Sequence, residues 1–126
     1  GGLAQAHVSG QVPRNPDGSL CCGIAGATAT EEEAVEAARA CGLTMLATLE
    51  NQLGSLDRIK RVVKVNGFVA SSPDFQKHPI AINAVSHLFM DVFGPAGKSA
   101  RSAVGVAALP LGILCEVEAI FEVDLS

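Results

Sequence analysis

The sequence predicts an α+β fold in which one sheet carries both helices on a single face, and three observations lead there. Strand-like and helix-like patterns follow one another in the order strand, helix, strand, helix, strand, strand. The first helix opens on a capping box at Thr30–Glu33, and the last strand alternates apolar residues with glutamates. A chain so ordered buries one side of its sheet beneath its helices. The opposite side then needs cover of its own, which suggests an oligomer.

Residues 4–11 set Ala4, Ala6 and Val8 against Gln5, His7 and Ser9, a period of two that reads as a strand. Pro13 and Asn15-Pro16-Asp17-Gly18 form a turn cluster after it, with room for a short strand around Leu20. Thr30 can accept from the Glu33 amide while Glu33 reaches back, and the three glutamates suit the positive end of a helix. Val35, Ala38, Met45, Leu46, Leu49 and Leu53 then recur at helical spacing up to Gly54. Residues 58–69 are rich in Val and Ile and read as a long strand, with Gly67 a bulge or a point of close approach. Ile82, Val85, Leu88, Phe89, Val92 and Phe93 mark a second amphipathic helix over 79–93, closed by Gly94-Pro95. Residues 102–108 and 115–123 are the final strands. Val117, Ala119, Phe121 and Val123 face one way in the last, opposite Glu116, Glu118 and Glu122.

The 126 residues suffice for one packed core, so the whole chain, 1–126, is expected to form one domain. Hydrophobic residues make up 48% and charged residues 17%, a balance that suits a chain hiding apolar surface against copies of itself. The net charge is -4, Tyr and Trp are absent, and the basic residues are thinly spread. Nucleic-acid binders neutralise phosphates and often stack bases on aromatic rings, which makes RNA a poor partner here. No apolar run approaches the roughly 18 residues of a membrane span, and no secretory signal opens the chain. Cys21, Cys22, Cys41 and Cys115 form no C-x-x-C pair and read as reduced thiols of a cytoplasmic protein.

Nucleophile-elbow, phosphate-loop, zinc and dinucleotide motifs are missing, so neither a metal nor an organic cofactor is indicated. His7, His78 and His87 lack ligand-like spacing. What remains is Arg101, behind the small-residue loop Gly97-Lys98-Ser99-Ala100. Its planar fork can grip a carboxylate in a bidentate pairing that lysine cannot reproduce. Read alone, such an arginine is more often a solvated surface residue. Glu116 and Glu118 share a strand face and, read alone, suit a solvent-facing acidic edge.

Five segments in order carry a resemblance: Ser9-Gly10-Gln11-Val12-Pro13, Gly54-Ser55-Leu56-Asp57-Arg58-Ile59, Phe68-Val69 with Asp74-Phe75, Ala100-Arg101-Ser102 through Leu109-Pro110, and Glu116-Val117-Glu118-Ala119-Ile120. The series resembles the Rid family of reactive-intermediate imine deaminases, also called YjgF and often labelled "L-PSP endoribonuclease". The likeness runs from about Gly2 to Val123, and the Ala-Arg-Ser to Glu-x-Glu-Ala stretch is its specific part.

The resemblance implies a chorismate-mutase-like α+β fold, one mostly antiparallel sheet with two helices on one face, and a homotrimer with ligand clefts between subunits. It gives Arg101 the carboxylate of a 2-imino acid and Glu116 the water that attacks the imine. Ser9, Gly10, Asn83, Ala103 and Lys64 match positions that line the cleft. Many members carry a preceding strand with an aromatic, often Tyr, in the cleft wall; this sequence begins after it. The segments Gln76-Lys77-His78-Pro79 and Gly94-Pro95-Ala96-Gly97-Lys98 also depart from the usual pattern.

On this resemblance the chain hydrolyses 2-imino or enamino acids to 2-oxo acids and ammonia, without metal or cofactor. A metabolite-binding or regulatory trimer would use the same Arg101 clamp without turnover. The ribonuclease of the family label fits poorly with the acidic charge and the missing aromatics.

Overall fold

The computed structural model describes residues 2–126, which form four strands and two long helices. Strand β1 covers Leu3–Gln11, helix α1 Glu31–Leu53, strand β2 Ile59–Ala70, helix α2 His78–Phe93, strand β3 Ala100–Val106 and strand β4 Cys115–Asp124. The last pair differs most from the sequence reading, since β3 starts two residues earlier than expected and ends at Val106. Around Leu20 only an isolated bridge to Arg14 forms.

The capping box at the start of α1 closes from both sides. The Glu33 amide donates to Thr30 Oγ1 at 3.1 Å, and the Thr30 amide donates to Glu33 Oε1 at 3.0 Å. Gly54 ends the helix in the left-handed conformation, at φ 85°, where a side chain would be strained. α1 buries a narrow stripe dominated by small residues, Ala34, Ala37, Ala38, Cys41 and Gly42, beside the larger Met45, Leu46 and Leu49. Small side chains allow close helix packing, and a Cβ at Gly42 would lie 2.9 Å from Leu88 Cδ2 on α2.

The strands run in the order β1-β4-β2-β3. β4 is antiparallel to both β1 and β2, while β2 and β3 are parallel and are joined through α2. A parallel pair needs such a crossover, because a tight turn cannot bring the chain back to the same end. Both helices lie on one side. Cys115, Val117, Ala119, Phe121 and Val123 of β4 point beneath them with Val62, Val65 and Val69 of β2. Phe89 and Phe121 meet edge to face at 5.7 Å, with Phe93 6.5 Å from Phe121.

Gly67 is the close-approach point. A Cβ there would collide with the Ile82 side chain of α2, so the missing side chain lets helix and strand touch. The bulges of β2 lie nearer its start, between Ile59 and Arg61 and between Val62 and Lys64. Val92, placed on the apolar stripe of α2 by its spacing, is instead 43% exposed. Among the described residues, no helix is long and apolar enough to cross a membrane.

Candidate functional site

Arg101 is the second residue of edge strand β3. The parallel register sets it beside Val65, a core residue, so its side chain leaves the sheet on the helix-bearing side. There Nη1 donates to Asn83 Oδ1 at 2.7 Å and to Ser86 Oγ at 3.2 Å, both on α2. The two acceptors lie three residues apart, one turn of helix, and both are neutral. Among the described residues the ion pairs are Lys60–Asp124 and Arg61–Glu122, so no carboxylate of the chain neutralises Arg101. A half-buried guanidinium held by one nitrogen, with its charge unmatched, is ready for an anion. Ser86 is the member that sequence reasoning missed; it is recognisable only once Asn83 is placed on a helix facing Arg101.

Ala103 follows two residues along β3, beside Gly67, and shares the Arg101 side of the sheet. Glu116 lies opposite Phe68 on β2 and points to the other side, away from the helices. Within one chain, therefore, the two residues assigned the central chemistry stand on opposite faces.

Gly10 adjoins Glu116 closely. A Cβ at position 10 would lie 2.6 Å from Glu116 Cδ, so the carboxylate side chain rests over glycine backbone. A register shift in β1 between Val8 and Gln11 brackets the Ser9-Gly10 pair. Ser9 and Lys64 line a hollow of about 280 Å³ on the helix-free face, together with His7, Asn66 and Glu118. Asn66 Nδ2 donates to Glu118 Oε1 at 3.0 Å across it. The predicted residues thus fall into two groups: Arg101, Asn83 and Ala103 on the helix side, and Glu116, Gly10, Ser9 and Lys64 on the other.

The cysteines stand apart from both groups. Cys41 donates to the Cys115 carbonyl at 3.5 Å inside the core. Its hydrogen bond with Cys115, and then burial, push its thiol pKa upward. Burial likewise raises that of Cys21, so neither is primed as a thiolate nucleophile. Among the described residues no group of three or more His, Cys, Asp or Glu is arranged to hold a metal ion.

Comparison with known proteins agrees on one family. Residues 2–123 match the family model described as "YjgF/chorismate_mutase-like, putative endoribonuclease". The chain is 48% identical over 121 residues to Protein TCP17 of Trypanosoma cruzi, covering 95% of this chain and 76% of that protein. Its fold is similar to the crystal structure of Atu1372, a protein of unknown function from Agrobacterium tumefaciens. The TM-score is 0.91 at 40% identity, over 98% of this chain and 79% of the other. A structure from Shewanella oneidensis, described as a putative endoribonuclease, matches with TM-score 0.89 at 32% identity, over 94% and 79%.

Proposed function

The chain belongs to the YjgF/chorismate mutase-like family, and we propose that it hydrolyses reactive 2-imino acids, with their enamine tautomers, to 2-oxo acids and ammonia. The observation that carries this reading is the Arg101 guanidinium, fixed through Nη1 by Asn83 and Ser86 and lacking a carboxylate partner. Pinning one nitrogen leaves the remaining N–H groups of the fork for a substrate carboxylate. Two parallel charge-assisted bonds then position the C=N carbon.

Water adds to that carbon and ammonia leaves, a sequence that needs a group to orient the water and move protons. Glu116 takes that role, with the backbone of Ser9 and Gly10 lining its side of the cleft and Lys64 nearby. Ala103 supplies its amide at the imine end. Because Arg101 and Glu116 face opposite ways in one chain, a single cleft holds both where two subunits meet. This favours a closed homotrimer, in which each subunit lends Arg101 to one cleft and Glu116 to the next. The whole chain acts as one domain in this assembly, in the cytoplasm, where such imines arise.

The decisive experiment measures ammonia release from 2-iminopropanoate or 2-iminobutanoate generated in situ by an amino-acid oxidase. Wild type accelerates hydrolysis, and Arg101→Ala loses roughly a hundredfold, the value of about two charge-assisted hydrogen bonds. A folded Arg101→Ala protein with unchanged turnover would sink the assignment. Binding of a 2-oxo acid without any turnover would favour a metabolite-binding role for the same clamp.

A further inference from the structure

A second hollow, of about 520 Å³, opens at the far end of β2 and β3 and is lined by residues that the deaminase reading does not use. Ser71, just past β2, and His78, the first residue of α2, meet in it, with Oγ 3.0 Å from Nε2. That is hydrogen-bond reach between a hydroxyl and a base. Ile24, Pro73, Phe75 and Val106 make the surrounding wall largely apolar.

Both partners are held in place. The Ser71 amide donates to Val106 O at 3.0 Å, and the Ser72 amide donates to Ala25 O at 2.9 Å. Ser72 Oγ donates to Asp74 Oδ1 at 2.8 Å, and the Phe75 amide returns to Ser72 O at 3.1 Å, closing the turn. The His78 ring stands edge-on to Phe75, with centroids 5.1 Å apart and planes at 83°. An imidazole so packed has a fixed direction for Nε2.

Gly105 of β3 is the third observation. Its backbone is not in the left-handed region, so conformation does not require glycine there. Space does: a Cβ would lie 2.6 Å from Ser71 Oγ and overlap His78 Nε2. The missing side chain makes room for Ser71 Oγ and His78 Nε2 to pack against the β3 backbone, and the hollow opens beside them.

We propose that Ser71 and His78 form a nucleophile–base pair that cleaves small esters with an apolar acyl group. With its proton on Nδ1, His78 accepts the Ser71 hydroxyl proton at Nε2 as Oγ bonds to the ester carbonyl carbon. The tetrahedral adduct collapses, the bond to the alkoxy oxygen breaks, and the alcohol leaves with the proton from His78. Water then attacks the acyl-serine by the same route, the acid departs and Ser71 regains its proton. The apolar wall receives the acyl chain.

The test treats the full chain with a fluorophosphonate probe and maps the adduct by mass spectrometry, alongside p-nitrophenyl acetate and butyrate hydrolysis. Ser71 should be the labelled residue. Labelling and ester turnover should fall about a hundredfold in His78→Gln, the usual worth of a positioned base, and equally in Gly105→Ala. Ser71→Ala should abolish labelling, while Arg101→Ala should leave ester turnover intact, which separates this activity from the deaminase. An unlabelled Ser71 in folded wild-type protein overturns the proposal without recourse to any variant. So does labelling of Ser71 at an unchanged rate in folded His78→Gln.

Discussion

Along β4 the residues beneath the helices are at most 4% exposed, whereas their neighbours on the helix-free face are all part-exposed. The first set, from Cys115 to Val123, touches α1, α2 and the core side of β2. The second, Glu116, Glu118, Ile120 and Glu122, shares its face with Lys64, Asn66 and Phe68. One strand thus alternates core residues with part-exposed ones, Glu116 among them. Its pleat alone keeps the two apart, and a register slip of one residue would exchange them. Arg101 is the exception that teaches most. It lies on the helix side yet stays half-buried, because its edge strand runs past the apolar stripe of α2 and meets Asn83 and Ser86 instead.

The contrast between faces breaks most visibly at Phe121 and Glu122. Phe121→Ala removes a ring packed against Phe89 and Phe93 and should cost about 3–5 kcal/mol in denaturant unfolding. Glu122→Ala, next door, loses a part-exposed pair to Arg61 and should change stability by no more than about 0.5 kcal/mol. Equal costs would mean that Glu122 is packed as fully as Phe121. A smaller effect sharpens the exception. Asn83→Ala removes the shorter of the two bonds to Arg101 and should lower kcat/KM for a 2-imino acid about tenfold, the equivalent of one hydrogen bond. Ser86→Ala should lower it less; the reverse ranking would show that Ser86, not Asn83, holds the fork.

A modest effect is a pH dependence within the covered face. Cys41 keeps its proton in the fold, its pKa raised by its contact with Cys115 and by burial, while the unfolded thiol ionises near its ordinary value of 9.0. With a raised folded pKa, stability is unaffected well below 9.0 and falls as pH approaches and passes that value. At pH 9.5 the loss should be about 0.8 kcal/mol from this group. Unfolding free energies across pH 7–9.5 should therefore decline less in Cys41→Ala than in wild type.

Much of this was legible in the residues. The alternation in β4 assigned both faces, and Thr30 with Glu33 located the start of α1. The likeness around Ala100-Arg101-Ser102 singled out Arg101 and matched Asn83 to a cleft position; the 2.7 Å bond that joins the two comes from the structure. What escaped depends on three-dimensional neighbours. Strand order and register put Arg101 and Glu116 on opposite faces, and neither is encoded in local spacing. Ser71 and His78 were unremarkable seven residues apart across a loop. Only the turn that returns the chain to α2, with β3 laying Gly105 against both, makes them a pair. Val92 kept the helical period of α2 but fell near the end of the helix, where it stays 43% exposed.

The pairing of β1 with β4 reaches further than the sheet it completes. Leu3 lies opposite Asp124, and the Leu125 amide donates to Gly2 O at 2.9 Å. Joining them closes a loop of roughly 120 residues, against roughly 36 for β2 and β3, a difference of about 1 kcal/mol in closure entropy. The β2–α2–β3 crossover holds Arg101, Asn83, Ser86, Ser71 and His78, so the arginine with its two partners and the serine–histidine pair share the shorter closure, while Glu116, Ser9 and Gly10 lie outside it. On closure entropy alone, β1 is expected to dock after the crossover has formed. Its departure would expose the edge of β4 and strip the Ser9-Gly10 backbone from Glu116, while the arginine clamp stayed intact.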